Sequence, residues 1–391
     1  MRAVDTIQAE LCQNLYPVSL SRQKTLFYAV RALLRGGKLS VTGLGRAAKG
    51  KTTPKHNIKR IDRLLGNSRL HDEIKVFCRS MNTKLLRPNS RPLILVDWTK
   101  LKSHCALFAA VSHKGRSMTL YYELHPLSKL SNRTVQIDFL KTLKSLMPEG
   151  IVPTIVTDAG FMNPWFQAVE ELGWSFVGRL NPRVLIQPRR GKLTRISKLE
   201  VGSRRKPKDW GMCSVTVRNP RTYRVIQGKK FKRDPKRKKS RRLFTHKGRG
   251  GVQSAKRNQL SWVLGTNRTD LSAQQVIDVY EHRMRIEELF RDFKNSRFGW
   301  SLGESLTRDA NRSTVLVLIG LIGYFIVTLL GVIAEKKGLH LQFQTNSLKS
   351  RRVLSLFFLG KEIIRLGLKL DYAKSDLNYV LQEIRDEVAA M

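Results

Sequence analysis

Residues 91–126 read RPLILVDWTKLKSHCALFAAVSHKGRSMTLYYELHP, and this stretch decides the fold class. Its apolar runs are short, contain β-branched and aromatic residues, and are separated by polar residues and glycine, a pattern typical of buried strands. A helical pattern, TVQIDFLKTLKSLM, and a further short apolar run, PTIVTD, follow it. Buried strands with an intervening helix predict an α/β layer.

Two of these apolar runs lead into an aspartate, Asp97 in LVDWT and Asp158 in VTDAGF. We expect both side chains to lie at or near strand ends. An ionised carboxylate with apolar residues before it needs a partner, because burying an uncompensated charge is costly. The two aspartates are therefore candidate site residues.

The first 85 or so residues predict short helices, since apolar residues recur there at helical spacing. The segment TPKHNIKRIDRLLGN places Pro54 near a helix start and Gly66 at its end. This helix leaves four cations for solvent or for phosphate: Lys55, Lys59, Arg60 and Arg63. A basic helix within a small helical bundle is a common DNA-binding design, and an ordinary solvated charged face is the alternative.

Between residues 185 and 258 the periodicity of strands and helices is lost. The sequence there is rich in glycine, proline and basic residues, including GKKFKRDPKRKKSRR. We interpret this region as an inserted β-rich or loop-rich subdomain with a basic surface. A nuclear-localisation-like tract or a disordered tail has the same composition. The run is internal, however, and the strand-like QLSWVLGTN follows it directly.

The segment AQQVIDVYEHRMRIEELFRDFK, residues 273–294, predicts one amphipathic helix. At about 100° per residue, its polar stripe and its apolar face fall on opposite sides. The stripe consists of Tyr280, Arg283, Glu287 and Lys294, and the apolar face of Val279, Ile286, Leu289 and Phe293. Ordinary pairing of Arg283 with Glu287 at i,i+4 is the alternative to a functional stripe.

If this helix packs on the sheet, Asp97, Asp158 and Glu287 converge. Mutual repulsion makes such a cluster unfavourable unless divalent cations occupy it. Oxygen-only ligands favour Mg²⁺ or Mn²⁺ over zinc. Two such ions about 4 Å apart can clamp the attacking and leaving oxygens of a phosphoryl transfer.

The 391-residue chain carries 73 Lys and Arg against 30 Asp and Glu, a formal net charge of +43. Nucleic acid is the polyanion that such a surface fits best, with an anionic membrane as the competitor. The four cysteines lie far apart, without metal-ligand spacing, and predict reduced thiols in a cytoplasmic protein. The acids and glutamines of the first residues argue against a signal peptide.

Residues 315–334, VLVLIGLIGYFIVTLLGVIA, are long and apolar enough to span a bilayer. Basic residues flank this segment on both sides, so the positive-inside asymmetry is missing. We prefer a helix buried in the core of a large domain, because all-round apolar helices also occur there. A single-pass membrane protein is the alternative.

Tyr280, Arg283, Glu287 and Lys294 have the form Y-x2-R-x3-E-x6-K, which resembles the signature of the insertion-sequence-four family of bacterial cut-and-paste transposases. LVDWT and VTDAGF resemble the two aspartate blocks of that family, and the likeness runs over nearly the whole chain. It implies a ribonuclease H-like catalytic core with a β-rich insertion, preceded by a helical DNA-binding domain. The segment 229–249 does not match the family recognisably.

The resemblance also implies roles. Asp97, Asp158 and Glu287 are the ligands of two Mg²⁺ ions, with Mn²⁺ a substitute. Cations and aromatic residues are expected to contact DNA: Tyr280, Arg283 and Lys294 at end phosphates, and Trp262 as a platform for a flipped base. Arg291 is a further DNA-binding candidate. A core tryptophan on a strand is the alternative for Trp262.

The expected organisation is a helical DNA-binding domain at 1–86, the catalytic core at 87–184 and 259–340, the insertion at 185–258 and a C-terminal helical dimerisation region at 341–391. For the last region, a terminal packing helix is the alternative. The expected partners are the transposon ends and target DNA, bound by a homodimer in the bacterial cytoplasm, without a membrane. A metal-dependent nuclease and a non-catalytic DNA-binding protein are the rival functions.

Overall fold

The structure is a computed structural model that describes residues 2–13, 15–16, 18–199, 206–217, 219–228, 262–348, 350–368, 370 and 373–391. The predicted basic tract at 229–249 lies outside the described residues. The chain forms two compact units. The first unit consists of Met1–Pro153 with Met284–Met391, and the second of Thr154–Arg283. The five predicted segments have other boundaries and stay a prediction.

The first unit begins with short helices, as predicted for this region. They are α1 (Arg2–Cys12), α2 (Leu20–Leu34), α3 (Val41–Ala47), α4 (Pro54–Leu65) and α5 (Ser68–Leu85). Pro54 lies in the first turn of α4 and Gly66 follows its last residue, where proline and glycine suit helix ends. The Asn67 side chain accepts a hydrogen bond from the amide of Leu70 and caps α5.

Three antiparallel strands follow in the order β3-β2-β1. They are β1 (Leu93–Lys100), β2 (His104–His113) and β3 (Arg116–Pro126), and α6 (Arg133–Leu146) comes after them. Every residue of β2 is buried. Asp97 was expected at or near a strand end and lies three residues before the end of β1, since the strand continues to Lys100.

The second unit contains the remaining strands in the order β4-β5-β10-β9-β8-β6-β7. Its elements are β4 (Thr154–Thr157), α7 (Asn163–Glu171), β5 (Ser175–Arg179), β6 (Leu185–Pro188), β7 (Thr194–Arg195), β8 (Lys208–Val215), β9 (Arg221–Gly228), β10 (Trp262–Thr266) and α8 (Ala273–Glu281). β4 and β5 are parallel, and the other pairs are antiparallel. The predicted mixed α/β class is confirmed, and strands β6 to β9 lie in the region of the predicted insertion. The ribonuclease H-like core stays a prediction.

The predicted single helix over 273–294 is wrong. The segment forms two helices instead. Helix α8 ends at Glu281 and belongs to the second unit, and α9 (Met284–Lys294) belongs to the first unit. The amides of His282 and Arg283 donate to the carbonyls of Val279 and Tyr280, so α8 closes with tight i,i+3 bonds. The apolar residues of α8 and α9 are thus buried in different units, and Tyr280 and Arg283 do not share a helix with Glu287 and Lys294.

Helix α10 (Ala310–Lys336) forms the centre of the first unit. Among the described residues it is the one helix long and apolar enough to cross a membrane, and every residue of its apolar stretch is buried. This is the burial expected of a core helix. A Cβ on Gly331 would lie 2.1 Å from the carbonyl oxygen of Leu356, so glycine permits the close crossing of α11 (Leu356–Arg365).

The last helix, α12 (Lys374–Ala389), buries five apolar side chains in the first unit: Leu377, Val380, Leu381, Ile384 and Val388. Its acidic side chains meet basic residues of the same unit. Glu383 pairs with Lys114 at 2.8 Å and with Lys336 at 2.6 Å. The role of the C-terminal region in dimerisation stays a prediction.

Candidate active site

Helix α9 covers one face of the sheet at β1 and β2. Its Phe290 ring meets the Phe108 ring edge to face, with 5.3 Å between the centroids. Phe108 lies directly opposite Asp97 in the register of the two strands. The aromatic contact therefore sets the helix beside the strand that carries Asp97, within the first unit.

Asp97 is a buried carboxylate, with 7% of its surface exposed. Its Oδ1 accepts a hydrogen bond of 2.8 Å from the amide of Trp98. Because side chains alternate along a strand, Asp97 and Thr99 share one face of β1 and Trp98 points to the other. Thr99 is equally buried.

Lys294 ends α9 and reaches this face. Its ammonium Nζ lies 2.6 Å from the hydroxyl Oγ1 of Thr99, and 5.8 Å from the centroid of the Phe290 ring. Burial lowers the pKa of Lys294, and the nearby charge of Asp97 acts in the opposite direction. The lysine thus stands close enough to the Asp97 carboxylate for their charges to interact.

Glu287 lies in the first turn of α9 and is half-buried. At about 100° per residue, Glu287, Phe290 and Lys294 fall within about 60° of one another around the helix. Phe290 and Lys294 both contact the sheet face that carries Asp97 and Thr99. Glu287 is therefore presented on the sheet-facing side of the same helix.

Two acids that the sequence analysis missed fix α9 to β3. Arg116 Nε donates to Asp292 Oδ2 at 3.0 Å, and its Nη1 lies 3.5 Å from Glu288 Oε2. The Tyr324 hydroxyl of α10 donates to Asp292 at 3.3 Å. Burial raises the pKa of Asp292 to about 6, although Arg116 acts to lower it.

The signal for this anchor is present in the sequence. Glu288 and Asp292 are four residues apart on one helix, and like charges at this spacing repel. Such a pair predicts a cation from elsewhere in the fold. Which cation, here Arg116, is not visible from the sequence, because 176 positions separate it from Asp292.

Asp158 belongs to the second unit and directly follows β4. It is half-buried, and its Oδ1 accepts a hydrogen bond of 2.8 Å from the amide of Gly160. This local bond shapes the turn that leads towards α7. The expected position of Asp158 at a strand end is therefore correct.

Trp262 and Tyr280 also lie in the second unit. Trp262 is the first residue of β10 and is half-buried, whereas Tyr280 of α8 is 3% exposed. Their rings meet edge to face with 4.9 Å between the centroids. Arg283 follows α8 and is half-buried.

The first unit thus brings together Asp97, Glu287 and Lys294, while Asp158 belongs to the second unit. Within the described ranges, no group of three or more His, Cys, Asp and Glu side chains is placed so as to hold a metal ion. The convergence of the three carboxylates stays a prediction. The donors themselves fit Mg²⁺ or Mn²⁺, since Asp97 and Glu287 offer only carboxylate oxygens.

The predicted cations of the N-terminal region are all exposed on α4: Lys55, Lys59, Arg60 and Arg63. The Arg60 guanidinium lies 4.2 Å from the centroid of the Tyr28 ring. Arg291 of α9 is also exposed and pairs with Glu288 at 2.7 Å. Their contacts with DNA stay predictions.

Comparison with known proteins identifies the family. Among solved structures, the chain is similar to that of the piggyBac transposase in a synaptic complex with hairpin DNA, with 10% sequence identity and a TM-score of 0.45, over 97% of this chain and 81% of that chain. No curated protein matches the chain. Residues 88–326, more than half of the chain, match the family described as the transposase DDE domain. The chain therefore belongs to the transposase DDE-domain family.

Proposed function

We propose that this protein is a DNA transposase of the insertion-sequence-four family, which excises its element through a hairpin intermediate and joins the 3′ ends to target DNA. Membership of the DDE-domain family already makes it a transposase that acts on DNA. The proposal adds the route of cleavage, the recognition of terminal inverted repeats and the residues of the site.

The observation that carries the proposal is the docking of α9 on β1. The Phe290–Phe108 contact and the Lys294–Thr99 hydrogen bond hold the helix against the strand of Asp97. A buried carboxylate, a second carboxylate on the facing helix and an ammonium near the first form a suitable start for phosphoryl-transfer chemistry. Asp158 of the second unit completes the proposed set.

Asp97, Asp158 and Glu287 would hold two divalent cations, Mg²⁺ or Mn²⁺. Such ions activate water or a 3′-hydroxyl and stabilise the charge that develops at phosphorus. The three carboxylates are expected to hold and orient the metal ions, and the basic side chains are expected to bind the DNA strand. In particular, Lys294 is placed to hold a phosphate oxygen beside Asp97 as a point charge.

The four chemical steps are in-line displacements at phosphorus. Water first breaks the bond between phosphorus and the 3′ oxygen at the transposon end and leaves a 3′-hydroxyl. That hydroxyl attacks the opposite strand, which closes a hairpin and releases the flanking DNA. A second water reopens the hairpin, and the same hydroxyl then attacks target DNA. One set of positioned groups serves all four steps, because the bond geometry at phosphorus is the same in each.

The proposed DNA contacts extend beyond the carboxylates. Tyr280, Arg283 and Lys294 are proposed to bind phosphates near the scissile bond, and Arg291 is proposed as a further DNA contact. Half-buried Trp262 is proposed to stack on a flipped base, since an aromatic face is a sequence-tolerant platform for an unstacked base. The N-terminal cations on α4 would hold DNA farther from the cleavage point.

Two transposon ends have to be joined to one target, so we further propose that a homodimer pairs the ends. The net charge of +43 supports binding of both transposon and target duplexes through their phosphates. We also propose that the protein works in the bacterial cytoplasm, where its DNA substrates are located.

The test compares Glu287→Gln with Glu288→Gln. These are neighbouring residues with identical substitutions, and Glu288 pairs with Arg116 and Arg291. Purified proteins are incubated with a labelled duplex that carries the end of the element, with and without Mg²⁺. We expect Mg²⁺-dependent nick, hairpin and joined products for the wild type and for Glu288→Gln, because the shorter contact of Arg116 with Asp292 still anchors the helix in this variant.

In Glu287→Gln, all products should fall by about 100-fold or more, while the protein–DNA complex still forms. Equal cleavage by Glu287→Gln would contradict its role as a site residue. Nicking without hairpin or joined products would favour the metal-dependent nuclease. Binding without any cleavage by the wild type would favour the non-catalytic DNA-binding protein.

A further inference from the structure

We infer that Thr99 is a positioning residue, whose hydroxyl holds the ammonium of Lys294 on the face of β1 that carries Asp97. The importance of this contact for DNA cleavage rests on the proposed function. The contact itself is a property of the first unit and can be tested without DNA.

The geometry of the contact supports this inference. The distance of 2.6 Å between Lys294 Nζ and Thr99 Oγ1 is that of a short hydrogen bond. Thr99 is 7% exposed, so water cannot readily replace its hydroxyl. Opposite Thr99 in β2 lies Ala106, whose small side chain leaves room on this face for the end of a lysine.

A lysine in this position needs an acceptor. Its ammonium has three donors and a flexible four-carbon stem, and it loses hydration when it is partly buried. The Phe290 ring lies 5.8 Å from Nζ and offers only a ring face. A neutral hydroxyl fixes the ammonium without changing the net charge beside Asp97.

The alternative is that Thr99 is an ordinary threonine of a buried strand. The same sheet provides an example of that kind. Thr119 of β3 is 6% exposed, and within the described part of the chain its Oγ1 has no hydrogen-bond partner. Thr99 and Thr119 therefore match in residue type, burial and secondary structure, and differ in the contact with Lys294.

The first measurement reads the position of Lys294 directly. Wild type, Thr99→Val, Thr99→Ser and Thr119→Val are treated briefly with an amine-reactive reagent, and labelling of Lys294 is measured by mass spectrometry against exposed Lys141. Loss of the hydroxyl should increase Lys294 labelling by about fivefold or more. Thr99→Ser and Thr119→Val should label as the wild type does. Unchanged labelling in Thr99→Val would overturn the inference, whether or not the protein cleaves DNA.

The second measurement is the single-turnover cleavage rate at saturating DNA. Thr99→Val should slow cleavage by about 10- to 100-fold, the loss typical of a hydrogen bond to a charged group. Thr99→Ser should restore the rate, and Thr119→Val should stay within about twofold of the wild type. A similar loss in Thr119→Val would show that a general effect on the sheet, rather than the contact, slows cleavage.

A double-mutant cycle with Lys294→Ala decides whether the hydroxyl acts through the lysine. In that background Thr99→Val should slow cleavage no further, because contacting residues are not additive. An undiminished effect of Thr99→Val would overturn the inference. If the wild type cleaves no DNA while Thr99→Val still exposes Lys294, the proposed function fails and the positioning contact stands.

Discussion

Replacing Asp292 by asparagine should change how the stability of the protein depends on pH. Asp292 lies on α9 between Arg116 of β3 and Tyr324 of α10. Burial raises the pKa of its carboxyl from the ordinary value of 3.8 to about 6. Asparagine has nearly the same shape as the protonated carboxyl and does not titrate in this range.

The direction of this pH dependence follows from which state of the protein binds the proton. Between about pH 4 and pH 6 the folded protein keeps a proton on Asp292 that the unfolded chain has released. This contribution to stability is therefore complete below the unfolded pKa and is lost as the pH rises through the folded pKa. The difference between 3.8 and about 6 corresponds to about 3 kcal/mol.

The assay is urea unfolding at several values from about pH 4 to about pH 7. The free energy of unfolding of the wild type, minus that of Asp292→Asn, should fall by about 2.5 kcal/mol over this range, since part of the effect is already lost at pH 4. The matched control is Asp138→Asn, because Asp138 is an aspartate on α6 with 63% of its side chain exposed. Its difference from the wild type should stay nearly constant.

Parallel pH profiles for the wild type and Asp292→Asn would contradict a raised pKa of Asp292. They would mean that the contacts with Arg116 and Tyr324 offset the cost of burying the carboxylate, so that its pKa is the same in the folded protein and in the unfolded chain. The result bears on the proposed active site, since α9, which Asp292 helps to anchor, also carries Glu287 and Lys294.

Two further predictions concern the core helix and the N-terminal cations. Gly331→Ala should destabilise the protein by about 3 kcal/mol, since the added Cβ would meet the carbonyl of Leu356 at 2.1 Å; Gly50→Ala, where a Cβ meets nothing within 4 Å, should unfold at the wild-type urea concentration. Replacing Lys59 or Arg60 by alanine should each reduce the log–log salt slope of DNA binding by about one, measured by fluorescence anisotropy, and an unchanged slope would place that side chain away from phosphate.

The sequence was sufficient to predict the parts of the fold that depend on local patterns. Short apolar runs identified the strands, and Pro54 and Gly66 marked the ends of α4. The uniform apolar character of residues 315–334 is explained by burial on all sides of α10. In each case the physical signal lies within a single helix or strand.

The break between α8 and α9 could not be predicted in this way. His282 and Arg283 are compatible with a helix, and neither proline nor glycine marks the turn. The break depends on where the flanking apolar faces are buried, and they belong to two different units. Long-range contacts escape local patterns for the same reason: 195 positions separate Thr99 from Lys294.

The two adjacent glutamates of α9 show how one helix serves both anchoring and chemistry. Neighbouring positions on a helix point about 100° apart, so Glu287 and Glu288 cannot serve the same partner. Glu288 and Asp292, one turn apart, both contact Arg116 and hold the helix to β3 through it. Glu287 lies on the same side of the helix as Phe290 and Lys294. This side faces the strand of Asp97, and a helix held so firmly on its other side can keep the Glu287 carboxylate in a fixed position when DNA binds.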